Sequence, residues 1–541
     1  MGVHLALALP PTAAAAAVKG LGIVVAASAA AGVFALPTAR DRAVAALVAL
    51  SLTPVLVVSE LWDSEQIRHL RDHPATAVAA AVVGLAIVVV LAAVFRRWPR
   101  FFPLMVVAAL PVRIPVATGG TSTFLLVPLY LIVAGGVAAY ALEQLWRPSR
   151  AAVAALANGG RGPWRERTPG RVELALLAFV VLYAVQSLYS RDFEQAVKNI
   201  AFFYVPFALL LKLLTTVQWS RRLAVQCFGL ATVLALVFVG IGFVEYATRH
   251  LFWNRKVIAS NEFQSYFRVN SLFFDPNIYG RFLAIVMLGL AAVLLWARRT
   301  RDVAVCLAAL AFIWAGLILT FSETSFAALL VGLVLLAALR WNPRAVVAVV
   351  LVGAIAAGAI ALAGRGKVHV NASHQSLNTS SSGRAKLIRA GLSMFVHRPV
   401  WGFGSGSFAK VFRQRERVGS PEAATASHTT PVTVAAEQGL VGLVAYVVVL
   451  AAAFRLLLAR LGALRGRDPP QTLVWRAFVA AAFAALVFHT LGYAAFLEDP
   501  IAWTLLAVGI VLAGEALPAP ETAPVGTMTA PAPPSSGARY R

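Results

Sequence analysis

Two stretches of this chain gather residue types that can do chemistry. The first begins with Arg384, Lys386 and Arg389 and continues through Arg398 and Pro399 to Trp401. Gly402, Gly404 and Gly406 then alternate with Phe403, Ser405 and Ser407. Guanidinium groups match phosphate oxygens two at a time. Glycines allow positive φ and let backbone approach a ligand closely. A basic run at Lys410, Arg413, Arg415 and Arg417 suits lipid headgroups or glycan. His428 follows, just before Thr429-Thr430-Pro431, and Glu437-Gln438-Gly439 lies about two and a half turns further on. The second stretch is Arg268-Val269-Asn270-Ser271-Leu272-Phe273-Phe274-Asp275-Pro276-Asn277. Its Asp-Pro-Asn is a turn and helix-start signal, so Asp275 and Asn277 read either as caps or as site residues. An imidazole titrates near pH 6.5 and suits a general base. A lone loop histidine is more often solvated or capping, so His428 alone carries both readings.

The elements that must position these residues follow from composition. Of 541 residues, 60% are hydrophobic and 13% charged. Soluble chains carry about 25% charged residues, which excludes a soluble multidomain enzyme. Two cysteines, Cys227 and Cys306, exclude a disulfide scaffold. The net charge of +24 reads as topology signals and contact with anionic membrane lipids, with no nucleic-acid partner. Apolar runs of about 17–25 residues recur along the chain. They predict an all-α polytopic membrane bundle with about 12–15 spans. Phe101–Ala117, Ala345–Leu362 and Ile501–Ala513 are among the expected spans.

The Lys/Arg distribution orients the chain. The short connections Thr118–Ser122, Phe321–Thr324 and Gly492–Pro500 carry neither residue. They are expected outside, together with the long loop Ala363–Pro431. Within that loop, Arg384 to His397 has helical amphipathic spacing that ends at Pro399. Residues 1–171 are expected to form N-terminal membrane helices and a basic linker. Residues 172–517 then form the main membrane domain, and 518–541 a disordered Pro/Ala-rich tail.

The pieces in this order resemble one family. They are Arg268 with Asp275-Pro276-Asn277, then Arg384, then Arg398-Pro399 running into Gly402, Gly404 and Gly406, then His428 and Glu437-Gln438-Gly439. The chain resembles the O-antigen ligase and O-antigen polymerase-like membrane glycosyltransferases over roughly Val172 to Leu512. The resemblance implies a glycan donor carried on undecaprenyl diphosphate. The acceptor is a hydroxyl on a lipid, a glycan or a protein. The site is expected on the outer face of the cytoplasmic membrane. Arg268, Arg384, Arg389 and Arg398 are the expected diphosphate ligands. His428 takes the base role, and Glu437 either orients it or pairs with an arginine. No cofactor is implied. No Asp-x-Asp cluster stands in either external segment, so arginines would have to stabilise the leaving group; the expected reaction is a metal-independent, inverting transfer. Family members often carry Ser-Arg-Gly where this chain reads Ser322-Glu323-Thr324, without the arginine. A lipid-linked glycan transporter would need charges within spans, and an assembly partner would need no site.

Overall fold

A computed structural model describes residues 11–62, 71–118, 121–146, 167–252, 267–341, 384–416, 427–465, 470–493 and 495–515, with a few isolated residues between them. The chain begins with α1 (Pro11–Ala35), α2 (Ala39–Leu61), α3 (Pro74–Arg97) and α4 (Phe101–Ala109). A hairpin of β1 (Ile114–Thr118) and β2 (Thr121–Leu125) follows, then α5 (Val127–Trp146) and α6 (Arg171–Ser187). Next come α7 (Phe193–Thr216, with a π turn at Ile200–Tyr204) and α8 (Arg221–Thr248). They are followed by α9 (Pro276–Trp296), α10 (Thr300–Leu319) and α11 (Glu323–Arg340). Two shorter helices, α12 (Arg384–His397) and α13 (Phe408–Glu416), precede α14 (Thr430–Leu458), α15 (Gln471–His489) and α16 (Pro500–Glu515).

Local chemistry starts several of these helices. Ser220 Oγ accepts Leu223 N at 3.2 Å, Thr38 Oγ1 accepts Asp41 N at 3.0 Å, and Asp275 Oδ1 accepts Asn277 N at 2.6 Å. Each satisfies a donor that the first helical turn leaves over. Pro276 occupies the first turn of α9, where its missing N–H costs nothing.

Among the described residues, eleven helices are long and apolar enough to cross a membrane. α7 and α9 are the enclosed helices of the bundle, whereas α3 leaves Val78, Val82, Leu85 and Val89 exposed. Such a face is stable against hydrocarbon, and helices satisfy their own backbone there. The fold is a polytopic helical membrane bundle. The N-terminal α1 and α2 pack directly on α5 and α6.

The expected span Phe101–Ala117 is corrected. Its helix stops at Ala109, and Ile114–Thr118 pairs antiparallel with Thr121–Leu125, Thr118 opposite Thr121. Pro111 and Pro115 cannot continue a helical ladder, and Val112, Ile114, Val116 and Thr118 alternate as a strand does. The expected span Ala345–Leu362 and the 518–541 tail lie outside the described residues. The amphipathic helix Arg384–His397 forms as its spacing predicts.

The helices α6 to α11 alternate in direction, and α14 to α16 do so again, α14 starting at the same end of the bundle as α11. The starts of α9, α11, α14 and α16 therefore meet the ends of α6, α8, α10 and α15 at one end of the bundle. Both chemistry-bearing stretches gather at that end.

Candidate functional site at one end of the bundle

The glycine turn is built into a broken helix. Gly439 in α14 has φ 66° and ψ −160°. An unbroken ladder would pair Leu440 N with Ala436 O and Val441 N with Glu437 O. The turn replaces all four partners. Leu440 N donates to Pro399 O at 2.7 Å and Val441 N to Val400 O at 3.3 Å. Phe403 N donates to Ala436 O at 3.2 Å and Gly404 N to Glu437 O at 2.8 Å. Gly402, Gly404 and Gly406 all have positive φ. The loop after α6 holds the other side, through Ser190 Oγ to Ser405 O at 2.7 Å and Arg191 N to Phe403 O at 3.1 Å.

The Glu437 side chain clamps this turn. It accepts Gly406 N on Oε2 at 2.8 Å and Phe408 N on Oε1 at 3.0 Å. Phe408 opens α13, where unpaired N–H groups favour a negative charge. This role differs from both roles expected from the sequence, orienting His428 or pairing with an arginine. Residue spacing along the chain could not show it.

His428 stands at a strained corner, with φ 60°. That region is uncommon for a residue with a side chain. Hydrogen bonds on either side hold it. Ser427 Oγ bonds Thr429 O and Thr433 Oγ1, each at 2.8 Å. Thr429 Oγ1 donates to Leu491 O at 2.9 Å and Thr430 N to Thr490 O at 3.0 Å. The corner is thereby fastened to the end of α15. Gly391 of α12 packs closely against Val432 beside it. The ring is half-buried.

The second stretch forms a polar chain beside α15. Arg268 Nε donates to Thr320 O at 2.9 Å, and its Nη2 reaches Asn277 Oδ1 at 3.5 Å. Asn277 Oδ1 also accepts Ser322 Oγ at 2.8 Å, and Ser322 Oγ lies 2.8 Å from Ser325 Oγ. Ser325 Oγ and Thr324 Oγ1 each lie 3.3 Å from His489 Nε2. Asp275 caps α9, so its capping reading is realised, while Asn277 joins the polar chain. Buried Glu245 of α8 holds the segment by accepting Asn270 N at 3.2 Å and Ser271 N at 2.7 Å.

Arg389 and Arg398 sit apart from that chain. Arg389 is exposed on α12. Arg398 is exposed too, its guanidinium 4.9 Å from the centre of the Phe403 ring. Arg384 is the first residue of α12, and its side chain lies outside the described residues.

A cavity of about 190 Å³ lies under the turn, lined by Tyr183, Asn199, Tyr204, Thr430, Glu437 and Glu498 among others. Glu498 lies in the connection between α15 and α16. Burial pushes its carboxyl up to about 7, with the Arg113 charge opposing. Arg281, one turn into α9, pairs with buried Asp499 next to it. Sequence reasoning missed Glu245, Arg281, Glu498 and Asp499. A lone arginine inside an apolar run was the available signal, because such a charge needs a partner.

No curated protein matches the chain. Residues 307–447, from within α10 to within α14, match the family described as O-antigen ligase. That stretch contains the glycine turn, His428 and Glu437, and across it the chain is O-antigen ligase-like.

Proposed function

We propose that the protein transfers a glycan from a lipid diphosphate to an acceptor hydroxyl at the extracytoplasmic face of the cytoplasmic membrane. The observation that carries this reading is the strained His428 corner inside the O-antigen ligase-like stretch. Strain of this kind clusters where function demands it. Multi-pass architecture suits a lipid-borne donor, and the Lys/Arg bias of the connections favours the outer face.

In the proposed reaction the acceptor oxygen attacks the sugar carbon that bears the diphosphate. The carbon–oxygen bond to the diphosphate breaks as the new one forms, with inversion. His428 takes the acceptor's proton, and the lipid diphosphate leaves with the bonding pair. Arg268 holds its guanidinium in place through Thr320 and Asn277, ready for diphosphate oxygens. Arg389 on α12 and Arg398 just beyond its end are exposed and supply further positive charge, and Arg384 is the remaining proposed diphosphate ligand. Undecaprenyl diphosphate is the proposed carrier, and a lipid, a glycan or a protein can supply the hydroxyl.

The test is purified protein in lipid vesicles with an undecaprenyl-diphosphate-linked oligosaccharide and a hydroxyl acceptor. Released undecaprenyl diphosphate should appear together with glycosylated acceptor. Donor that binds but is never cleaved, with any acceptor class, would overturn the proposal.

A further inference from the structure

The end of the bundle opposite His428 carries a second constellation. There the start of α8, the end of α9, the start of α10, the end of α11 and the start of α15 surround a cavity of about 570 Å³. Arg221, Arg298, Arg299 and Arg340 line it, and Asp302 is the acid among its lining residues. Arg221, Arg298 and Arg299 are exposed, and Arg340 lies over the Trp296 ring at 5.9 Å. The inner wall is apolar, formed by Gly289, Ala292, Val293 and Leu295 of α9.

A second cavity of about 590 Å³ lies beside it along α9. Leu295 lines both. This one is a groove along α9 between α10 and α11, from Leu295 back to Met287, with Trp314 and Trp341 at its margins. Eight residues of helix span about 12 Å, close to the depth of one leaflet of a ~30 Å hydrocarbon layer. Four arginines at this end of the helices thus lie close to an apolar slot of acyl-chain length. Free phosphate would use the arginines and leave the slot empty. A zwitterionic lipid would fill the slot and gain little from the arginines.

We propose that this cavity and the neighbouring groove together bind one anionic phospholipid. Its phosphate sits among Arg221, Arg298, Arg299 and Arg340, and one acyl chain lies along α9. Basic pockets between membrane helices recognise such headgroups, each Arg contributing about 1 kcal/mol near the surface. The site stands independently of the glycan-transfer reading, which concerns the other end.

Full-length protein, stripped of lipid in detergent, is titrated with phosphatidylglycerol, phosphatidylcholine or inorganic phosphate. Retained lipid is read by native mass spectrometry and stability by the thermal midpoint. Phosphatidylglycerol should bind saturably and raise the midpoint, while phosphatidylcholine and inorganic phosphate should not. The double variant Arg299→Gln/Arg340→Gln should weaken phosphatidylglycerol binding about thirty-fold. Leu333→Trp, which fills the groove and leaves every arginine in place, should also weaken it. If the glutamine variant does not fold, Arg299→Lys/Arg340→Lys keeps the charge and should still bind more weakly than wild type. Equal binding of the two lipids would overturn the proposal. So would inorganic phosphate reproducing the whole shift, or variants that bind as wild type does.

Discussion

Gly402 and Gly439 interlock. A Cβ on Gly402 would lie 2.2 Å from Glu437 O, and one on Gly439 would lie 2.3 Å from Val400 O. Neither carbonyl can move, because each accepts a hydrogen bond across the same break. Each glycine also has φ 66°. Gly402→Ala or Gly439→Ala should therefore undo the docking of the turn. The left-handed backbone alone costs about 1–2 kcal/mol, and the overlap adds to it. A thermal midpoint several degrees lower, with loss of glycan transfer, is the expected outcome. Unchanged midpoints in both variants would contradict the interlock.

Glu437 is expected to act through the turn. Glu437→Gln presents an NH₂ group where one backbone N–H now donates, leaving Gly406 or Phe408 without an acceptor. A buried donor left unsatisfied costs about 1–3 kcal/mol. Stability and transfer should fall together. Full stability with abolished transfer would instead give the carboxylate a chemical role.

Arg268 should resist conservative replacement. Arg268→Lys keeps the charge, but a single ammonium cannot reproduce the planar fork between Thr320 O and Asn277 Oδ1. The apparent KM for the lipid-diphosphate donor should rise about tenfold, with little change in protein level. A wild-type KM would separate Arg268 from donor binding.

A positioned base typically contributes about 10²–10⁴-fold. His428→Ala and His428→Gln should each lose that much turnover and still bind donor. Glutamine can hydrogen-bond but cannot serve as the base. Near-normal transfer by the glutamine variant would leave His428 as a positioning residue.

Glu498 links stability to pH. Its carboxyl is raised from 4.5 to about 7 in the folded protein, so the folded state holds a proton that the unfolded state has released between those values. Its contribution is full below 4.5 and is lost as pH rises through about 7. Thermal midpoints measured from pH 5 to 8 should fall more steeply for wild type than for Glu498→Gln. Parallel curves would rule out the raised carboxyl.

Much of the site's local structure was legible in the residue order. Asp275-Pro276-Asn277 announced a helix start, and alternating Gly402, Gly404 and Gly406 announced a turn. Both are settled within a few residues by capping oxygens and by freedom at positive φ. The Gly439 break was not legible. It sits within a stretch whose apolar residues on both sides read as a single span, and the freed N–H and C=O groups around it are answered by a turn more than thirty residues earlier.

By itself, then, the sequence determined what depends on composition and short range. Apolar runs dictate spanning helices, because a helix alone satisfies its backbone in hydrocarbon. Tertiary structure decided what depends on partners. Pro111 and Pro115 limited α4, but a hairpin needed β2 to pair with β1. His489 meets Ser325 across 164 residues, and Asp499 meets Arg281, because antiparallel packing brings those helix ends together. A charge or imidazole in an apolar chain must find a counterpart, and only the packed bundle specifies which one.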